Sequence, residues 1–125
     1  MSTVNIKIHL DKILNHCQDI LTDTANCTGE TFKTTYIMQR AVFMSIIQIG
    51  ELAGRLPAQF RVRHKNIPWT SMRHTRNVIV HDYVAINLDM IWDVVVTDIP
   101  ILINQITNIL QEIEKGNETQ LYEKD

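Results

Sequence analysis

Ala41-Val42-Phe43-Met44-Ser45-Ile46-Ile47-Gln48-Ile49 is apolar on nearly every side when wound as a helix of ~100° per residue. A helix of that kind is surrounded by others, which places it at the centre of a helical bundle. The spacing predicts a second helix in the chain from about Thr31 to Arg55, with Pro57 closing it by pushing the preceding residue out of helical geometry. Gly50 and Gly54, four apart on it, allow a neighbouring backbone to approach closely.

Toward the amino terminus, Leu10, Ile13, Leu14, Cys17 and Leu21 recur at three-four spacing. They predict an amphipathic first helix from Val4 to about Cys27, with Lys7, Asp11, Lys12 and Asp19 on the wet side. Thr28-Gly29-Glu30 is the turn after it, where Gly29 can take the left-handed conformation that ends helices. In the other direction, Pro57 to Ile67 reads as one loose helical turn and a loop, rich in Arg61, Arg63, His64 and Lys65. Ile67-Pro68-Trp69 starts a third helix, with proline near its first position, and that helix ends between His81 and Tyr83. Asn87 caps a fourth, with Asp89 in its first turn and Leu88, Ile91, Trp92, Val95 and Val96 as its buried stripe. Pro100 kinks or restarts it, and helical spacing continues through Leu102, Ile103, Ile106, Ile109, Leu110 and Ile113 to a polar tail, Gly116 to Asp125, expected to fray. The fold class is therefore all-α, a four- to five-helix up-and-down bundle forming one domain over residues 1–125. Trp69 and Trp92 are most simply core residues.

With 125 residues the chain is long enough to bury a real core. Its net charge of -2 excludes a generally basic protein, so any nucleic-acid surface has to be a local patch. The amino terminus shows no basic segment followed by an apolar run, hence no signal peptide is expected. Gln48, Glu51 and Asp98 interrupt the best apolar runs short of the ~20 residues of a membrane span. Cys17 and Cys27, ten apart on one predicted helix, would lie ~15 Å from each other, too far for a disulfide. Reduced thiols and a cytoplasmic location are the expectation.

The chemistry gathers on the third helix, in Arg73-His74-Thr75-Arg76-Asn77-Val78-Ile79-Val80-His81-Asp82-Tyr83. From Leu52 to His81 there is no carboxylate, and Arg55, Arg61, Arg63, Lys65, Arg73 and Arg76 make up half of the 12 lysines and arginines. Such a stretch suits an anionic partner, a phosphodiester above all. On an ideal helix Arg73, His74, Asn77 and His81 share an arc of ~100°, while Arg76 and His81 stand ~140° apart. A long arginine side chain, or a helix ending at His81, must close that gap, and Tyr83 joins the group only where the chain leaves helical geometry. Metal-free RNA cleavage needs a base for the 2′-hydroxyl, an acid for the leaving 5′-oxygen and a cation for the charged phosphorane. Histidine serves as either base or acid near neutral pH, and arginine offers permanent forked donors. One chain supplies one His81, so two chains meeting face to face would complete the set.

Arg76-Asn77-x-x-x-His81-x-Tyr83 resembles the Arg-x4-His-x-Tyr signature of the HepT-like proteins of the HEPN superfamily. Ile49-Gly50-Glu51-Leu52-Ala53, Leu56-Pro57, Ile67-Pro68-Trp69, Met72-Arg73 and the segment from Leu88 through Ile91-Trp92 to Asp98-Ile99-Pro100 extend the likeness in order over about two thirds of the chain. The resemblance implies a HEPN bundle that dimerises through the motif-bearing helix. It also implies a metal-independent endoribonuclease toxin whose composite site uses Arg76 and His81 of both protomers. The implied partner is an MntA-like nucleotidyltransferase antitoxin, which silences the toxin by adding AMP to the motif tyrosine, here Tyr83, and with which the dimer could assemble further. Asp82 departs from the glycine frequent after the motif histidine, which works against phosphate binding and restricts how Tyr83 is presented.

Other readings stand beside these. Asn77 either orients His81 or bonds the backbone, and Arg73 and His74 suit RNA phosphates or a solvated basic face. Arg61, Arg63 and Lys65 either guide RNA or keep a loop soluble. Tyr83 is a modification acceptor or an ordinary amphipathic residue. Glu51 orients the site from below or forms a salt bridge within the bundle. His9, His16, Cys17 and His64 lack metal-ligand spacing, and no phosphate-loop or hydrolase motif occurs, so no metal and no cofactor are expected. The alternative to an enzyme is a non-catalytic helical binding module, the partner or antitoxin of the nucleotidyltransferase.

Overall fold

The computed structural model describes residues 1–116. Its helices are α1 (Thr3–Asp23), α2 (Gly29–Thr34), α3 (Tyr36–Arg55), α4 (Ala58–Arg63), α5 (Trp69–His81), α6 (Leu88–Asp93) and α7 (Ile99–Glu114), and no strand occurs among the described residues. The all-α bundle expected from the sequence is the fold. The tail beyond Gly116 lies outside the described residues.

α3 is the spine. It packs most extensively on α5 and α1, and α1 also packs along α7. Lys7 near the start of α1 feels the charge of Glu114 at the end of α7, so those two run antiparallel. Gln105 of α7 donates to the Asn66 carbonyl just before α5 at 3.1 Å, which sets α7 against α5. Ile6, Leu10, Ile13, Cys17 and Ile20 of α1 close over Val42, Ile46 and Ile49 of α3 and Ile99, Leu102 and Ile106 of α7. Burial in that layer pushes the Cys17 thiol up to about 12, so it stays protonated and unreactive at neutral pH.

Three local expectations change here. α1 ends at Asp23 rather than near Cys27, and the left-handed residue of the turn is Asn26, with φ 62, instead of Gly29. Gly29 opens α2 behind the Thr28 cap, where its lack of a side chain makes room for the Trp92 indole. The predicted helix from Thr31 to Arg55 is broken at Thr35, which is extended. The hydroxyls of Thr34 and Thr35 bond back to the Thr31 carbonyl at 3.2 and 2.7 Å, a local alternative to the helical ladder. The buried Gln39 amide then donates to the Phe32 carbonyl at 2.9 Å.

Pro100 stands in the first turn of α7, where the α-helix resumes as the sequence predicts. A π-turn over Val94–Asp98 precedes it, in which the Ile99 N–H reaches back to the Val94 carbonyl. The wider turn shifts the carbonyl that the proline ring would otherwise strike. Leu88–Glu114 is consequently one continuous helix, long and apolar enough by length and composition to cross a membrane, contrary to the expectation that no run reaches that length. Its buried residues, Ile91, Val95, Ile99, Leu102, Ile106 and Ile109, belong to the bundle core. Asp89, Asp93, Asn104 and Asn108 lie exposed on it, the one-sided distribution of a bundle helix.

α3, expected to be enclosed, is open along one strip. Ile37 and Met44 are 80% and 58% exposed, and Val80, Tyr83 and Val84 stand uncovered at the end of α5.

Candidate active site

α3 and α5 run antiparallel and touch backbone to side chain. A methyl group at Gly50 would stand 2.5 Å from Arg76 Cβ, 2.9 Å from its Cγ and 3.2 Å from the Met72 carbonyl oxygen. At Gly54, one turn on, the same position is occupied by the Arg73 guanidinium. The two glycines therefore seat two arginines of α5 directly on α3. Gly50→Ala collides with the stem of Arg76 and with backbone, neither of which can swing away. It is expected to destabilise the fold by about 1–3 kcal/mol, read as a lower midpoint in denaturant with unchanged slope.

Arg76 is held from two helices. Its Nη2 pairs with Glu51 Oε1 of α3, and its Nη1 donates to Asn77 Oδ1 at 2.9 Å. Its Nε is buried without a partner. The Arg76 and Glu51 side chains are only 24% and 32% exposed, so the pair is less screened than a surface one. The guanidinium is thereby fixed in place, yet it still has donors to offer an incoming oxyanion. Glu51 takes the salt-bridge role, and its partner is a motif residue. Asn77 turns its oxygen to Arg76; among the described residues it makes no hydrogen bond to His81.

His81 is the last residue of α5 and is exposed. It stands five positions on from Arg76, a rise of ~7.5 Å, and no hydrogen bond joins the two side chains among the described residues. The chain leaves the helix at Asp82 and enters a 3-10 turn over Tyr83–Ala85. That turn brings the Tyr83 ring edge-on to Phe43, with centroids 5.8 Å apart at 84°, while leaving the residue 54% exposed. His81 and Tyr83 thus lie beside the exposed Val80 and Val84 in sequence, and Tyr83 meets α3 at Phe43, the neighbour of the exposed Met44.

Arg73 and His74 are exposed and line a groove of about 260 Å³ with Arg61, Thr70, Asn77 and Trp69, floored by Ala53 and Gly54. Arg61 was legible only as part of a basic loop; its place in this groove depends on how α4 folds back. A larger groove, about 360 Å³, runs along the opposite face of α5 past Met72, Ser71, Asp98 and Leu102, away from the arginines. Among the described residues no three histidine, cysteine or acidic side chains come together as a metal site would require.

The profile of the family described as "Ribonuclease HepT-like" matches residues 13–109. A Methanocaldococcus jannaschii protein named "Putative RNase" is 31% identical over 97% of this chain and its own full length. A "Gamma-glutamylcyclotransferase and putative RNase" of the same organism is 34% identical over 90% of this chain, which spans half of that longer protein. "Probable ribonuclease HepT" of Thermococcus cleftensis is 30% identical over 77% of this chain and 87% of its own. No solved structure matches the chain.

Proposed function

This chain belongs to the HepT-like ribonuclease family, and we propose that it is a metal-independent endoribonuclease toxin whose catalytic groups are Arg76 and His81 of two protomers. The observation that carries the reading is the arrangement on α5. One guanidinium is locked by Glu51 and Asn77, one imidazole is exposed at the helix end, and among the described residues Ile37, Met44, Val80 and Val84 stand uncovered as an apolar strip. A second copy laid on that strip along a two-fold axis would bury Ile37, Met44, Val80 and Val84 and bring a second His81 to the first. With both present, one imidazole takes the 2′-hydroxyl proton as the 2′-oxygen bonds to phosphorus. The other gives a proton to the 5′-oxygen as the P–O5′ bond breaks, and Arg76 holds the phosphorane oxygens. The products are a 2′,3′-cyclic phosphate and a free 5′-hydroxyl.

The reading includes control at Tyr83 by an MntA-like nucleotidyltransferase in the cytoplasm. The exposed phenol would attack the α-phosphorus of ATP, forming the tyrosyl–AMP bond as pyrophosphate leaves. Phe43 behind the ring fixes its direction. An added AMP would place a phosphate and a base over the strip and next to His81. Tyr83→Phe, with the nucleotidyltransferase and ATP, is expected to gain no AMP mass and to keep cleaving RNA. An AMP adduct on that variant would move the acceptor elsewhere.

The direct test is cleavage of total RNA in EDTA by wild-type protein, with the oligomeric state measured in the same buffer. Cleavage by a dimer supports the reading. A protein that does not cut would instead be a binding module of the nucleotidyltransferase.

A further inference from the structure

The groove between α3, α4 and α5 holds more cationic chemistry than packing requires. Arg61 comes from α4 and Arg73 and His74 from α5, and no carboxylate is among its lining residues. Arg61 Nε is buried there without a hydrogen-bond partner, and neither Arg61 nor Arg73 has an ion pair among the described residues. Arg76, one turn away, differs in having an ion pair with Glu51 and a hydrogen bond to Asn77, although its Nε also lacks a partner. An unpaired, partly buried guanidinium costs free energy unless an anion meets it. The fold also makes a specific seat for Arg73, because only a residue without Cβ at position 54 lets its guanidinium lie against α3. Asn77 lies on both sides of the boundary: its Oδ1 accepts from Arg76, and it lines the groove as well.

We propose that this groove is a second phosphate seat, in which Arg61, Arg73 and His74 hold the backbone of a single-stranded RNA next to the phosphodiester presented to Arg76 and His81. The inference rests on the ribonuclease reading for its substrate and goes beyond it by assigning a site away from the motif. Arg73 lies three residues before Arg76, ~4.5 Å along the helix axis and ~60° round it. A strand entering there passes from one arginine to the other without crossing a carboxylate of the groove. The seat reads charge and spacing and makes no demand on base identity.

Binding is measured with a 2′-O-methyl RNA oligonucleotide, which cannot be cut, over a series of salt concentrations. Arg61→Gln is expected to weaken binding several-fold and to lower the salt slope by about 0.7, one phosphate contact on a single strand. On cleavable RNA it should raise KM more than it lowers kcat. Gly54→Ala removes no charge and forces only the tip of Arg73 to move, while alanine is the better helix former. It should fold with undiminished stability and still bind more weakly. Lys12→Gln, an equal loss of charge at an exposed position of α1, is the comparison and should leave the slope as it is. If Arg61→Gln and Gly54→Ala bind as wild type does while wild type cuts RNA, the seat is overturned and the ribonuclease reading stands. If wild type binds the oligonucleotide with the expected dependence on Arg61 and Gly54 but never cuts RNA, the seat stands and the ribonuclease reading falls.

Discussion

His81→Ala is expected to lower RNA cleavage by roughly 10²–10⁴-fold, the contribution of a positioned general acid or base. The imidazole is exposed at the end of α5 and makes no contact that the core needs. Stability should therefore change by no more than about 0.5 kcal/mol. Loss of cleavage with an unaltered unfolding midpoint is the expected pair of results. Cleavage retained within a few-fold would remove His81 from the chemistry and with it the proposed composite site. His81→Gln, which keeps the size and a hydrogen-bond donor but cannot take up a proton, should be as inactive as the alanine variant.

Arg76→Ala differs because the residue is part of the fold as well as the proposed site. Removing a fixed cation aimed at a developing oxyanion is expected to lower cleavage by about 10²–10³-fold. It also leaves the Glu51 carboxylate half-buried with no partner and empties the space over Gly50. A loss of about 1–2 kcal/mol in stability should accompany it. Arg76→Lys separates the two effects. A lysine can restore the charge opposite Glu51, but it cannot donate to Glu51, Asn77 and a phosphate at once. Stability should recover more than cleavage does. Equal recovery of both would mean that Arg76 serves the fold alone.

The His81 variant also offers a test of the shared site. Mixing wild-type with His81→Ala protomers should lower cleavage more steeply than in proportion to the variant's share if one site draws an imidazole from each chain, because every mixed dimer then lacks either the acid or the base. Loss in simple proportion, with mixed dimers demonstrated, would confine each site to a single chain.

Much of this protein is written in short-range pattern. Apolar residues three and four apart mark α1, α3, α5 and the last helix because those positions stack on one side of any α-helix. Asn87, capping the Met90 N–H at 3.1 Å, and Pro68, just before α5, act through neighbours a few residues away and were readable for the same reason. So was the spacing of Arg76, His81 and Tyr83. The misread boundary before α3 lies where side chains compete with the ladder, at Thr34 and Thr35, and the widening of the helix over Val94–Asp98 left no mark in the pattern.

What the chain by itself determined is the set of helices and the side chains each carries. Only the tertiary structure decided which cation has a partner. Glu51 meets Arg76 because Gly50 lets α5 sink onto α3, and Arg73, which has no ion pair among the described residues, rests its guanidinium on the bare backbone at Gly54. Arg61 reaches the same groove only through the turn at Pro57 that folds α4 back. Periodicity fixes the direction of a side chain about its own helix axis. How closely two helices approach depends on the volume left at their crossing, and here two missing methyl groups set it.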